Sequence, residues 1–211
     1  MKAHIIFAHP NIKSYNGLLR DTAIRTIQAF GWSVTTSDLY QMGFKASADE
    51  HDFTSLHDAD FFDLQKEQKV AAQRGTFTKD IVREHELLEA ADLIIFQFPL
   101  WWHSVPGLLK GYIDRVFSFG WGYGGAQALA GKKVLVSTTT GAPEFVWTAD
   151  KRGTIKDTFK HLFVGTFELM GMQNLDPFVV YGAKRQAEED RTFELNRFKE
   201  RVTDIIKQTF T

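Results

Sequence analysis

The segment Leu93-Ile94-Ile95-Phe96-Gln97-Phe98 constrains the fold more than any other part of the sequence. A strand with one wet face alternates apolar and polar residues. This run is apolar on both parities, so both faces of the strand must be covered, as they are in the centre of a parallel sheet. Two further runs share that character, Ala3 to Ala8 and Lys133 to Thr138. Trp32 to Leu39 and Pro177 to Tyr181 read as shorter strands, the first close to a sheet edge.

Helical patterns fill the intervals. Leu19, Ala23, Ile27 and Phe30 recur at helical spacing after Ser14 or Asn16, and Gly31 supplies the stop. Gly43 to Ser55 is acidic and irregular. Asp58 to Ala91 predicts helix in two pieces broken near Gly75, with Ile81, His85 and Leu88 on one face. Pro106 starts a helix running to Val116-Phe117, a further helix spans about Thr154 to Met170, and an amphipathic helix spans about Gln186 to Phe210. Strands alternating with helices predict an α/β fold, a doubly wound five-stranded parallel sheet, with residues 1–211 as one domain.

Composition narrows the function classes. Twenty-five basic residues balance 26 acidic ones, for a net charge of −1, which lacks the positive field that nucleic-acid binding requires. With no cysteine, disulfides, thiolate nucleophiles and thiolate-held metals are excluded. Leu93 to Trp102 is too short to span a bilayer, and no secretory leader is seen, so no membrane insertion and a cytoplasmic location are expected.

In doubly wound folds, ligands collect beyond the carboxyl ends of the strands. After the first strand stand His9, Lys13, Ser14, Tyr15 and Asn16 before a helix start, a seat for an anion, although Ser14 or Asn16 would equally serve as a helix cap. After the third stand Pro99, Leu100, Trp101, Trp102 and His103, rings suited either to a flat ligand or to packing. After the fourth stand Thr139, Thr140 and Gly141, where small residues let backbone amides approach a ligand or simply make a turn. Jointly they suit phosphate, an aromatic plate and the polar edge of a ring, which describes a flavin.

Other motifs carry less. Gly120-Trp121-Gly122-Tyr123-Gly124-Gly125 matches a dinucleotide-binding pattern, but it follows a helix and the next strand comes too soon for a crossover. His51, Asp52, His57, Asp58 and Asp60 lack metal-ligand spacing and read as a solvated acidic loop. Glu188 to Arg191 reads as the charged start of the last helix.

The stretches Ala8-His9 to Asn16, Ala90 to Trp102, Val105 to Phe117 and Thr139 to Gly141 resemble the flavodoxin-like NAD(P)H:quinone oxidoreductases. That family includes DT-diaphorase, drug-activity modulators and ancillary subunits of potassium-efflux systems. The resemblance implies FAD, or alternatively FMN, with NAD(P)H as co-substrate and two-electron ping-pong transfer to a quinone. It places His9, Ser14, Tyr15 and Asn16 at the flavin phosphates, Pro99 to Trp102 along the flavin ring and Thr139 to Gly141 at its pyrimidine side. Arg191 lies near where relatives use an Arg at the adenine. It also implies a homodimer with active sites at the interface, Tyr123 being presented to the partner subunit. Trp102, His103, Trp147 and Tyr123 are then the expected pocket walls, with His103 a possible proton donor to the quinone. Relatives carry a Tyr and a His where this chain has Trp147 and Gly153. The competing reading is a regulatory or electron-carrier flavoprotein docked to a partner such as a potassium-efflux system.

Overall fold

The computed structural model describes residues 1–210. The chain runs β1 (Lys2–Phe7), α1 (Tyr15–Ala29), β2 (Ser33–Asp38), α2 (Leu64–Arg74), α3 (Lys79–Ala90), β3 (Leu93–Pro99), α4 (Gly107–Val116) and β4 (Lys133–Thr139). Then come α5 (Ile155–Thr158), α6 (Lys160–Leu162), β5 (Gln173–Asn174), β6 (Phe178–Val180) and α7 (Glu188–Thr209). The sheet order is β2-β1-β3-β4, with β5 and β6 following one another along the far side of β4. Every pairing is parallel, so β3 lies in the middle.

All seven residues of β3 are buried. Ile94, Phe96 and Phe98 point into a core with Leu88, Leu109, Tyr112, Phe159 and Phe167. Leu93 and Ile95 point the other way, onto Leu19, Ile27, Phe198 and Val202 of α1 and α7. Each fully buried Phe or Ile contributes about 1.5–3 kcal/mol, so this strand anchors both layers. β2 sits at the edge, where its exposed and half-exposed alternation is tolerated.

Several boundaries differ from the sequence reading. The fifth strand is two pieces, β5 beside Lys133 and Val134 and β6 beside Ser137 to Thr139. Pro177 between them has no N–H to give the ladder. The expected helix from Thr154 to Met170 is broken at Phe159 and continues as a π-helical turn over Phe163–Glu168. This uneven winding seats Phe159 against Phe98 and Phe167 against Phe96, with ring centroids 5.5 and 4.9 Å apart. α2 starts at Leu64 rather than Asp58, because the Asp63 carboxylate caps it by accepting from the Lys66 amide. Asp58 instead accepts from the amides of Asp60 and Phe61 in a turn of its own. The break at Gly75 is present, with φ +70 closing α2 in a left-handed cap.

The acidic segment after β2 is not wholly solvated. Asp52 is 1% exposed and accepts from Arg115 Nε at 2.8 Å, with Lys45 Nζ 2.7 Å away. Arg115 also reaches Asp80 at 2.7 Å and the Lys45 carbonyl at 3.2 Å. These bonds clamp the segment onto α4, where Gly111 is required: a Cβ there would stand 2.1 Å from the Ala46 carbonyl oxygen.

The loop after α4, which carries Tyr123, rests on His85. The His85 ring stacks on Trp121 with centroids 3.7 Å apart and planes 13° apart, and its Nε2 donates to the Val116 carbonyl at 2.8 Å. Burial pushes the imidazole pKa down to about 4, so the ring is neutral at ordinary pH.

Candidate active site

The carboxyl ends of β1, β3, β4 and β6 surround an inner cleft of about 510 Å³. The first wall is the turn from His9 into α1. His9 Nδ1 lies 3.0 Å from Asn11, whose own Oδ1 accepts from the Lys13 amide, and burial with the nearby Lys184 charge lowers the His9 pKa. Ser14 caps α1, its hydroxyl accepting from the Gly17 amide at 3.2 Å. Gly17 lets the turn close, since a Cβ there would lie 1.8 Å from the Ile12 carbonyl oxygen.

Asn16 is buried and bonded to two neighbouring strands. Its Nδ2 donates to Thr139 Oγ1 and its Oδ1 accepts from Gln97 Nε2, both at 2.9 Å. This chain of bonds ties the first turn of α1 to β3 and β4. Tyr15 lines the cleft with its ring while its hydroxyl donates to the Arg191 carbonyl at 3.3 Å. Burial and the Glu194 charge raise its pKa to about 12, so it stays protonated. The side chains of Ser14 and Asn16 thus shape the cleft they line, while the Ser14 hydroxyl proton and the second hydrogen of Asn16 Nδ2 keep both as candidate ligand donors beside the helix amides and nearby cations.

Pro99, Leu100 and Trp101 form the second wall, and Thr139, Thr140 and Gly141 the third. Thr140 Oγ1 donates to the Ala142 carbonyl, the Thr140 amide to the Val180 carbonyl, and the Thr140 carbonyl accepts from the Ala183 amide, which fixes the turn. A fourth wall joins Arg191 on α7 to Ala183 and Lys184, which follow β6 and were missed from the sequence. The rule that pointed to the other three strand ends would have found it. Arg191 Nε is buried without a hydrogen-bond partner.

Beyond Leu100 lies an outer cleft of about 560 Å³ sharing Leu100, Thr140 and Gly141 with the inner one. Trp102 and His103 stand at its mouth on a two-residue turn. Trp101 and Ser104 exchange backbone bonds of 3.1 and 3.0 Å, and φ is +51 at Trp102 and +56 at His103. Left-handed backbone at two such residues costs on the order of 1–3 kcal/mol each, strain of the kind that collects at binding sites. The Trp102 side chain is 99% exposed. Trp147 faces His103, ring centroids 5.2 Å apart, and its buried Nε1 has no partner. An unmade buried hydrogen bond costs about 1–3 kcal/mol, which a ligand oxygen would recover.

Trp102, His103 and Trp147 are thus brought together, and Tyr123, expected at a partner subunit's pocket, stands apart from them in its own chain. It lies in a separate groove of about 260 Å³ with Leu64, Phe117 and Met170, and its hydroxyl accepts from Gln65 at 3.2 Å.

A sequence profile of the flavodoxin-like fold matches residues 1–203. The chain is 36% identical to the ribosyldihydronicotinamide dehydrogenase [quinone] of Mus musculus, over 98% of this chain and 93% of that protein. It is 34% identical to NAD(P)H dehydrogenase [quinone] 1 of Cavia porcellus, over 99% of this chain and 78% of that one. A Klebsiella pneumoniae protein solved as a candidate quinone reductase superposes with a TM-score of 0.92 at 33% identity, over 97% of this chain and 85% of the other. The chain therefore belongs to the flavodoxin-like family that contains the NAD(P)H and ribosyldihydronicotinamide quinone dehydrogenases.

Proposed function

We propose that this protein is a flavin-dependent NAD(P)H:quinone oxidoreductase. The observation that carries the reading is the pair of adjoining clefts, one walled by backbone and cations and the other by aromatic rings, sharing Leu100, Thr140 and Gly141. The inner cleft fits a flavin nucleotide: Lys13, Lys184 and the unpartnered Arg191 Nε line it and would hold phosphate oxygens, and the Pro99–Trp101 and Thr139–Gly141 segments would flank a flat ring. We take FAD as the cofactor, with FMN as the alternative. When bound, the flavin supplies the hydride-accepting and hydride-donating centre that side chains lack.

The protein's own part is positioning. Trp102, His103 and Trp147 wall the outer cleft, limit water there and hold flat substrates against the shared wall. His103, which lines the outer cleft, would give a proton to an acceptor oxygen. NAD(P)H and quinone use the same outer cleft in turn, which makes turnover ping-pong. Tyr123, far from the outer cleft of its own chain, would complete a partner's cleft in a homodimer.

The test loads purified protein with FAD or FMN and assays NADH and NADPH against a small naphthoquinone. Rapid reduction with parallel double-reciprocal plots is expected. Failure to take up either flavin refutes the reading, and uptake with negligible turnover in all pairings favours a carrier or regulatory role.

A further inference from the structure

The charges lining the two clefts do not reflect the composition of the chain. Overall the protein is nearly neutral, at −1, yet Lys13, Lys184 and Arg191 line the inner cleft and Arg152 and Arg185 the outer one. Among the described residues, none lining the outer cleft is a carboxylate, and neither Arg152 nor Arg185 is held by one. The Arg152 amide bonds to the Val146 carbonyl and the Arg185 amide to the Gly182 carbonyl, so both backbones are fixed while both guanidinium groups are free. Trp147 lines the same cleft, 7% exposed, with its indole Nε1 buried and unpartnered. Arginine presents a planar fork of donors that matches sulfonate, carboxylate or phosphate oxygens.

We infer that the outer cleft is an anion-selective subsite: Arg152 and Arg185 pair with an acidic oxygen group on the entering molecule, and Trp147 Nε1 donates to an oxygen of its ring. This deepens the proposed function. The acidic group belongs either to the quinone, as a sulfonate or carboxylate, or to the nicotinamide nucleotide, as a phosphate. A neutral quinone reaches the cleft without using the arginines.

Calorimetric titration of the flavin-loaded protein with naphtholsulfonate and with naphthol reads the subsite without turnover. The sulfonate should bind about tenfold more tightly, with the preference shrinking as salt rises. The double variant R152Q/R185Q should bring the ratio close to one, and R152K/R185K should keep part of it. W147F should weaken both ligands, and a thermal melt confirms that each variant folds. Equal binding of the two ligands by the parent, or an unchanged ratio in R152Q/R185Q, overturns the inference. Kinetics then identify the source. A rise in KM for naphthoquinone sulfonate places the acidic group on the acceptor, a rise for NADPH but not NADH places it on the nucleotide, and no rise in either overturns the subsite. If the parent prefers the sulfonate yet reduces no quinone, the oxidoreductase reading fails while the subsite stands.

Discussion

Replacing His85 with phenylalanine should change how the protein responds to acid. In the folded chain the ring lies between Trp121 and the Val116 carbonyl, and its pKa is about 4 against an ordinary 6.5. As pH falls below 6.5 the unfolded chain takes up a proton on this ring while the folded chain does not. Stability from this group is therefore complete above that value and is lost progressively down to about pH 4. At ~1.4 kcal/mol per pH unit, the gap amounts to about 3 kcal/mol. Phenylalanine keeps the stack on Trp121 but removes one of the two bonds to the Val116 carbonyl, which still accepts from the Ser118 amide at 2.8 Å, and this costs about 1 kcal/mol at every pH. H85F should thus be the less stable protein at neutral pH, and the two stability curves should converge and cross in mild acid. Urea unfolding of both proteins at steps from about pH 7.5 to about pH 4.5 measures this. A stability difference that stays constant across the range refutes the claim that His85 is held neutral by burial.

Gly17→Ala should displace the turn before α1, because its Cβ would stand 1.8 Å from the Ile12 carbonyl oxygen. Flavin should then be lost on gel filtration, read by visible absorbance, while far-ultraviolet circular dichroism persists. Asn16→Leu strands the buried Gln97 and Thr139 side chains and should cost ~3 kcal/mol in urea unfolding. Arg115→Met leaves Asp52 with Lys45 as its cationic neighbour, a loss of about 3–5 kcal/mol. Proteolysis near Lys45 should accelerate in parallel. Lys184→Gln with Arg191→Gln should weaken both FAD and FMN in fluorescence titrations, the more so at low salt.

The centre of the fold was legible because burial on both faces leaves a local mark. Leu93 to Phe98 could be nothing but an interior strand, and Ile94 and Ile95 do point to opposite cores. Three of the four cleft walls followed from the strand-end rule. What was hidden depends on contacts between distant residues. Asp52 meets Arg115 across 63 positions, so an acidic loop gave no sign that one of its carboxylates is buried. The polar residue Gln97 in β3 announced a partner but not that the partner is Asn16, 81 positions away. That Ser14 caps α1 could be seen only from the geometry of the Gly17 amide. The split of the last strand did have a local signal in Pro177, read as a strand start rather than an interruption.

The Trp102–His103 turn has a consequence for how this protein could diversify. Reciprocal main-chain bonds between Trp101 and Ser104 hold the loop's path without using either side chain at its tip, and the Trp102 ring projects almost entirely into solvent. The two tip positions can therefore be exchanged for other side chains, asparagine and glycine being the easiest for that backbone, with little disturbance to Pro99 and Leu100 behind them. Acceptor preference can drift at the tip while cofactor anchorage is inherited intact.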